Sequence, residues 1–296
     1  MPELTEEGLP RRVTVVEVGP RDGLQTEPAL VPTEAKVTFV EALADAGLPV
    51  VEVTSFVSPS AVPKLADAEE VLRRVKRRSG VRYPVLVPNI RGLDRALAAG
   101  ADAIAIFASA TEAFSQANLR GSIDETFGRF EPIAQRARSD GLWLRGYISV
   151  AFHCPYSGPV HPTAVRAVAH RLLDLGCDEL AIADTVGAAT PSEVDALLDD
   201  LLTVVPVDRL ALHFHDTGGM ALENVEAGLR AGVRIFDSSA GGLGGCPFAP
   251  GAPGNLATER LVSYLEARGI QTGVDVDPVI TAVVALRAAS PHPAPA

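Results

Sequence analysis

Two histidines, His213 and His215, lie at the end of an apolar run and are separated by one residue, Phe214. In a β-strand, residues i and i+2 point to the same side, so both imidazoles would face one way while Phe214 packs on the other side. Two imidazoles with a carboxylate form a ligand set for a divalent metal. The alternative is a pair of core histidines bonded to the backbone. It is disfavoured because adjacent histidines in an acidic neighbourhood would need a reason to stay uncharged.

The ligand types narrow the choice of metal. Imidazole combined with oxygen ligands suits Mg²⁺ or Mn²⁺ when water and substrate oxygens complete an octahedron. Ligand count alone would also suit Zn²⁺ or Fe²⁺. We therefore expect a divalent cation, with Mg²⁺ or Mn²⁺ favoured.

A Gly- and Pro-rich segment, residues 241–254, contains Cys246 and ends at Asn255. Its length and composition predict an irregular loop that could fold over a site as a lid. Cys246 is then a candidate for proton transfer, whereas we interpret Cys154 and Cys177 as small buried hydrophobes. Asn255 has two interpretations, the N-cap of a following helix or a fourth metal ligand through its amide oxygen.

Short apolar runs alternate with segments of helical spacing along the chain, and these elements must position the residues above. The strands are predicted at residues 13–18, 50–54, 83–87, 103–108, 144–151, 179–183, 210–215 and 234–238. The helices are predicted at residues 32–46, 64–78, 91–99, 123–140, 162–175, 191–204, 219–231 and 255–268. Most strand runs are apolar at consecutive positions, as expected of parallel strands buried on both faces.

This alternation predicts an α/β fold, a (β/α)₈ TIM barrel with a short C-terminal helical extension. We expect one catalytic domain over residues 1–296, with the barrel at about 13–270. A doubly wound sheet is the alternative. It is disfavoured because residues 19–23 do not match the glycine-rich dinucleotide fingerprint expected after its first strand.

Active sites of such barrels lie at the carboxyl ends of the strands. Polar residues are concentrated at those ends: Glu17, Arg21, Asp22, Glu52, Ser55, Asp184, Thr185, His213, His215 and Asp216. Because the last strand lies beside the first when the barrel closes, Asp22 can reach an ion held by His213 and His215. This concentration of polar residues at one end of the barrel favours an enzyme over a scaffold.

Composition excludes several classes of protein. The chain has 296 residues, 47% of them hydrophobic, and a formal net charge of −11. No apolar run approaches the length of a membrane helix, and no basic stripe suits nucleic acid. Three cysteines without a closely spaced pair and a start without an apolar signal fit a reducing cytoplasm. The oligomeric state stays open, a homodimer included.

The sequence resembles the 3-hydroxy-3-methylglutaryl-CoA lyase family over nearly its whole length. The resemblance is carried by residues 16–25 (VEVGPRDGLQ), 51–59 (VEVTSFVSP), 183–187 (ADTVG), 212–217 (LHFHDT) and 242–247 (GLGGCP). It implies a metal-dependent TIM barrel that cleaves 3-hydroxy-3-methylglutaryl-CoA to acetoacetate and acetyl-CoA, so an acyl-CoA is the expected substrate. Related Claisen-type synthases differ at Leu24 and lack Cys246.

The resemblance also implies roles for individual residues. Asp22, His213, His215 and Asn255 would bind the cation. Arg21 and Cys246 would be catalytic, with Asp184 as an alternative base for the substrate hydroxyl. Gln25, Glu52, Ser55, Asp184 and Thr185 would line the acyl pocket. We expect Arg21 to stabilise the enolate and Cys246 to move the proton.

Three alternatives remain at this point. Gly218 stands where the family often has an aromatic residue, which would enlarge the pocket and suit a longer 3-hydroxy-3-alkylglutaryl-CoA. A related synthase and a non-catalytic CoA- or metal-sensing barrel are less favoured. Because the net charge repels an anionic substrate, local arginines such as Arg91 or Arg120 are candidates to hold the CoA phosphates.

Overall fold

The computed structural model describes residues 4–244 and 254–290, and its centre is one curled parallel sheet. The strands of this sheet are β1 (Thr14–Glu17), β2 (Val50–Val51), β3 (Thr54–Ser55), β4 (Val85–Leu86), β5 (Ala103–Ser109), β6 (Trp143–Ser149), β9 (Glu179–Asp184), β10 (Leu210–Phe214) and β11 (Ile235–Ser238). A separate antiparallel hairpin comprises β7 (His153–Cys154) and β8 (Gly158–Pro159).

The sheet closes into a barrel because its two ends are halves of one interrupted strand. Its order is β2-β1-β11-β10-β9-β6-β5-β4-β3. β2 pairs with β1 and β3 pairs with β4. Between these halves, the N–H of Glu52 donates to the carbonyl of Glu17 and that of Val53 to Pro84. The predicted TIM barrel and its eight strand positions are confirmed.

Helices follow the strands and cover the outside of the barrel. They are α1 (Leu24–Thr26), α2 (Thr33–Asp45), α3 (Ala68–Arg74), α4 (Ile90–Ala98), α5 (Glu112–Leu119), α6 (Ile123–Asp140), α7 (Pro162–Asp174), α8 (Pro191–Leu201), α9 (Ala221–Arg230), α10 (Thr258–Glu266) and α11 (Val276–Ala289). Helix α11 packs against α2 and forms the predicted C-terminal extension. Among the described residues, no helix is both long and apolar enough to cross a membrane.

Local sequence explains why the elements begin and end where they do. In α6, Ser122 and Glu125 form a reciprocal capping box, and Gly141 ends the helix with a φ of 68°. That left-handed conformation favours glycine. Along the strands, Val15, Ile104 and Leu212 point to the helices and belong to the main apolar core.

Two predicted helices have other bounds in the structure, and one helix was not predicted. The segment 64–78 is a 3₁₀ turn (Pro63–Leu65) followed by α3, which ends at Arg74. Helix α5 was not predicted, because the sequence analysis allowed one helix for each strand. The last barrel helix begins at Thr258 rather than 255.

Candidate functional site

Asp22, His213 and His215 meet at the carboxyl-terminal mouth of the barrel. Ligand atoms of the three side chains all lie within 4.8 Å of one another. Asp22 lies in a tight turn after β1, in which the carbonyl of Val18 accepts the N–H groups of Arg21 and Asp22. The two histidines come from the end of β10, and Phe214 between them is buried in the outer core, as the strand alternation predicts. The predicted grouping of these three residues agrees with the structure.

Asn255 completes the group from the other side. It forms an isolated β-bridge with His215, and its Nδ2 donates to Asp22 Oδ2 over 2.9 Å. Its amide oxygen Oδ1 is buried and has no hydrogen-bond partner within residues 4–244 and 254–290. The N-cap interpretation of Asn255 is wrong, because Ala257 holds the position before α10. An unpartnered oxygen beside a carboxylate and two imidazoles fits a bound cation, which would satisfy it.

The charge states of these side chains suit a cation. Burial alone would raise the pKa of Asp22, but Arg21 and the two histidines outweigh it and lower the pKa to about 2. Burial, reinforced by the neighbouring His213, lowers the pKa of His215 to about 4. At neutral pH the site therefore presents a carboxylate and an unprotonated imidazole, the forms that ligate metals.

Arg21 is fixed beside this group. Its Nε donates to Glu52 Oε2 over 2.7 Å and its Nη1 to Asp22 Oδ1 over 2.6 Å. The guanidinium carbon lies 5.3 Å from the centre of the Tyr147 ring. Although burial opposes its charge, Glu52 and Asp22 raise the pKa of Arg21, so the guanidinium stays charged. A fixed cation with a geometrically defined fork is suited to stabilise a developing oxyanion.

A cavity of about 410 Å³ opens above these residues. Its lining comprises Arg21, Asp22, Gln25, Thr26, Val57, Ala61, Val62, Leu86, Phe107, Phe114, Asn118, Tyr147, Ser149, Ala183, Thr185, His213 and His215. Charged and hydrogen-bonding groups therefore share the cavity with aromatic and aliphatic side chains. Such a mixture suits a small polar acyl group joined to a less polar chain.

The predicted acyl-pocket residues divide into two sets. Gln25 and Thr185 line the cavity, and Gln25 donates to Asp22 Oδ1 over 2.9 Å. Glu52 and Ser55 are buried and are not among the lining residues. Glu52 instead holds Arg21, so its contribution to the cavity is indirect. Gly218 packs against the Gly187 carbonyl outside the cavity lining, so the structure does not support an enlarged pocket there.

Asp184 faces its own loop rather than the cavity. Its Oδ1 accepts the N–H groups of Gly187 and Ala188, and its Oδ2 accepts that of Ala189 over 2.9 Å. Both oxygens are thus engaged in holding the turn after β9. Asp184 is not among the cavity-lining residues, and its role as a pocket residue or hydroxyl base stays a prediction.

Cys246 and most of its loop lie outside the described residues, but the two ends of the loop are described. The N–H of Asn255 donates to the Gly244 carbonyl over 3.2 Å, and that of Asp216 donates to Gly254 over 2.7 Å. Gly244 and Gly254 are therefore both held at the barrel mouth, beside the metal-ligand group.

Sequence reasoning missed a buried polar set within the barrel. Arg145 and Tyr147 lie in β6 and Asp237 in β11, and all three are almost completely buried. A signal was present, since Arg145 and Asp237 are charged residues inside runs predicted as buried strands. A buried charge inside a barrel needs a partner of opposite sign.

Comparison with known proteins matches this chain to one group of enzymes. A sequence model of the HMGL-like family matches residues 12–284. A mitochondrial hydroxymethylglutaryl-CoA lyase of Rattus norvegicus is 49% identical over 274 residues, covering 93% of this chain and 84% of the relative. A cytoplasmic 3-hydroxy-3-methylglutaryl-CoA lyase of Danio rerio is 50% identical, covering 93% and 82%.

Solved structures give the same result. The HMG-CoA lyase of Brucella melitensis is 48% identical with a TM-score of 0.92, covering 94% of this chain and 98% of that one. An HMG-CoA lyase of Acinetobacter baumannii in complex with coenzyme A and 3-methylmalate is 38% identical with a TM-score of 0.90, covering 94% and 91%.

Proposed function

This chain belongs to the HMGL-like family, and from that membership and the geometry of its site we propose that it cleaves 3-hydroxy-3-methylglutaryl-CoA to acetoacetate and acetyl-CoA. The observation that carries the proposal is the meeting of Arg21 with Asp22, His213 and His215 at one cavity. These side chains come from two distant parts of the sequence, residues 21–22 and residues 213–215, and face the same cavity.

Asp22, His213, His215 and Asn255 would hold a divalent cation, and we propose Mg²⁺ or Mn²⁺. The unpartnered amide oxygen of Asn255 and the unprotonated state of His215 support this assignment. Such a cation supplies Lewis-acid stabilisation of negative charge and orients the oxygen atoms of a substrate.

Arg21 would stabilise the enolate. In the cleavage, the proton of the tertiary hydroxyl passes to a base, for which Cys246 and Asp184 are the candidates; that carbon becomes the ketone of acetoacetate and the C2–C3 bond breaks. The bonding electrons then move onto the thioester as an enolate. Two of the Arg21 nitrogens bond to Glu52 and Asp22, so the guanidinium is preorganised beside the cavity. Loss of one such fixed donor typically costs about 2.7–4 kcal/mol in the transition state.

Cys246 would donate the proton that converts the enolate to acetyl-CoA. In the sequence it follows Gly244 by two residues. Gly244 itself is hydrogen-bonded to Asn255. A thiol with an ordinary pKa near 8.5 can both donate and recover a proton near neutrality.

The CoA phosphates would be held by basic side chains at the mouth. Arg120 is exposed and directly follows α5, whose residues Phe114 and Asn118 line the cavity. Arg91 is exposed at the start of α4. The acyl-CoA substrate is supported by the coenzyme A complex of the related lyase. We favour Arg120 because its helix contributes directly to the cavity wall.

Other parts of the assignment stay proposals. We propose that residues 1–296 act as a single catalytic domain in the cytoplasm; the named relatives include both cytoplasmic and mitochondrial proteins. A homodimer stays a proposal.

The test is a turnover assay with purified full-length protein, 3-hydroxy-3-methylglutaryl-CoA and added Mg²⁺ or Mn²⁺. We expect acetoacetate and acetyl-CoA in equal amounts, and no turnover by the double variant His213→Ala/His215→Ala. The matched control is His161→Ala/His170→Ala, which replaces two exposed histidines on and before α7. Absence of either product from the unaltered protein at every metal tested would refute the proposal. Faster cleavage of a longer 3-hydroxy-3-alkylglutaryl-CoA would show that this homologue is the preferred substrate.

A further inference from the structure

A continuous set of buried hydrogen bonds runs through the barrel and links His213 to Asp22. His213 Nδ1 lies 3.2 Å from Asp237 Oδ2. Asp237 binds the Arg145 guanidinium with both oxygens, at 2.6 and 3.2 Å. The chain of contacts continues from Arg145 to the Tyr147 hydroxyl (2.8 Å), from that hydroxyl to Glu52 (3.1 Å), and from Arg21 to Glu52 (2.7 Å) and Asp22 (2.6 Å).

The Asp237 carboxylate determines which nitrogen of His213 carries the proton. Both oxygens of Asp237 accept from the Arg145 guanidinium, the paired geometry of an ionised carboxylate, which can only accept hydrogen bonds. A proton on Nδ1 of His213 satisfies that acceptor, and the neutral ring then has its lone pair on Nε2. The Tyr147 ring meets the imidazole edge-on, at 89° and 6.5 Å between centroids, which limits its rotation.

Strand pairing explains why Asp237 is in reach of His213. The two residues are directly opposite in the parallel pairing of β10 with β11. Arg145 comes from β6, two strands from β10 in the sheet, is fully buried and donates to both oxygens of Asp237. Its other carboxylate partner is Glu179, 2.7 Å from Nε on β9. Arg145 therefore contacts two carboxylates. Asp237 also contacts His213, whereas Glu179 does not.

We propose that Asp237, held in place by Arg145, is the positioning residue of His213. It fixes the tautomer and orientation in which Nε2 is free to ligate the cation. Partners of this kind typically change metal affinity by about 10–100-fold when they are removed. This proposal rests on the proposed metal site. It adds that Asp237 and Arg145 orient His213, one of the metal ligands.

The first measurement is made on the unaltered protein, and one variant serves only to assign the signals. Histidine ¹⁵N spectra of the metal-free full-length protein at pH 8 report the tautomer of each ring, and comparison with His213→Ala assigns the His213 signals. We expect the neutral Nδ1–H form. A His213 ring protonated on Nε2, or one that interconverts between tautomers, would overturn the proposal without any variant of Asp237 or Arg145.

The second measurement is the dissociation constant of Mn²⁺ for Asp237→Asn and for the matched control Glu179→Gln. Each variant neutralises one of the two acids that contact Arg145, but only Asp237 touches His213. We expect the constant to rise about 10–100-fold in Asp237→Asn and to stay within about twofold in Glu179→Gln. Equal weakening in both variants, or none in Asp237→Asn, would overturn the positioning role.

The two proposals fail in different ways. If unaltered protein binds no Mn²⁺, the metal site and the positioning role are both refuted. If it binds Mn²⁺ normally but His213 carries its proton on Nε2, the metal site stands and the role of Asp237 is wrong. Thermal unfolding of each variant, compared with the unaltered protein, separates a change of affinity from loss of the fold.

Discussion

Glu17 predicts a measurable dependence of stability on pH. Its carboxylate is fully buried and joins two parts of the barrel mouth: Oε1 accepts the N–H groups of Gly19 (2.8 Å) and Ala240 (2.9 Å), and Oε2 accepts the Thr258 hydroxyl (2.7 Å). Burial outweighs these hydrogen bonds and raises the pKa of Glu17 from 4.5 to about 7. Between those pH values the folded protein holds a proton that the unfolded chain has released.

The sign and size of the effect follow from this difference. Because the folded state binds more protons in this window, the contribution of Glu17 to the free energy of unfolding falls as pH rises from 4.5 to about 7. At about 1.4 kcal/mol for each pKa unit, the total loss is about 3 kcal/mol. Above pH 7 the contribution is constant, since the carboxyl is ionised in both states.

Glu17→Gln should remove this dependence. The amide oxygen can still accept from Gly19 and Ala240, and the amide nitrogen can donate to Thr258. Urea unfolding of metal-free protein from pH 5 to pH 8 measures the difference, with the exposed Glu131→Gln as control. We expect the fall in the free energy of unfolding across that range to be smaller by about 2–3 kcal/mol in Glu17→Gln and unchanged in the control. Equal pH profiles for Glu17→Gln and the unaltered protein would refute the reasoning.

Three further changes test the site. Arg21→Lys should lower kcat about 10²–10³-fold with little change in Mn²⁺ affinity, because lysine cannot reproduce the fork that contacts Glu52; unchanged kcat would exclude Arg21 from charge stabilisation. Cys246→Ser should lower kcat about 10²–10⁴-fold while metal content stays constant, and near-normal kcat would assign the proton to another group. Gly244→Ala should destabilise the protein by about 1–3 kcal/mol and weaken Mn²⁺ binding, because φ is +96° and a Cβ there would lie 2.8 Å from Asn255 Nδ2. Calorimetric Mn²⁺ titration that matches the unaltered protein would contradict the last prediction.

The sequence was most informative where periodicity and barrel closure act together. The alternation of His213 and His215 about Phe214 predicted their shared direction, and closure of the eighth strand on the first predicted that Asp22 would join them. Both arguments depend on backbone geometry that every parallel barrel shares. The grouping could therefore be predicted although Asp22 and the histidines are far apart in sequence.

The sequence was less informative where side chains compete for partners. Asp184 lies at the end of its strand, as predicted, but three N–H groups of its own loop occupy its oxygens. Whether a carboxylate accepts hydrogen bonds from its own loop depends on the backbone dihedral angles of that loop, which strand periodicity does not specify. Asp237 and Arg145 were missed for the opposite reason, since their strands were predicted correctly but the pairing of two buried charges across the barrel requires the three-dimensional arrangement.

The interrupted second strand has a consequence for how the barrel opens. Two residues of β2 pair with β1, two of β3 with β4 and two of β4 with β5, whereas β5 and β6 pair over seven residues. Short ladders have few hydrogen bonds to lose, so this seam is where native-state fluctuations should first separate the strands. Amide hydrogens at Val51 and Val53 should exchange with deuterium faster than those of β6. Glu52 lies between Val51 and Val53 and accepts a hydrogen bond from Arg21. Local unfolding of this seam would therefore also break the contact that orients Arg21 at the cavity.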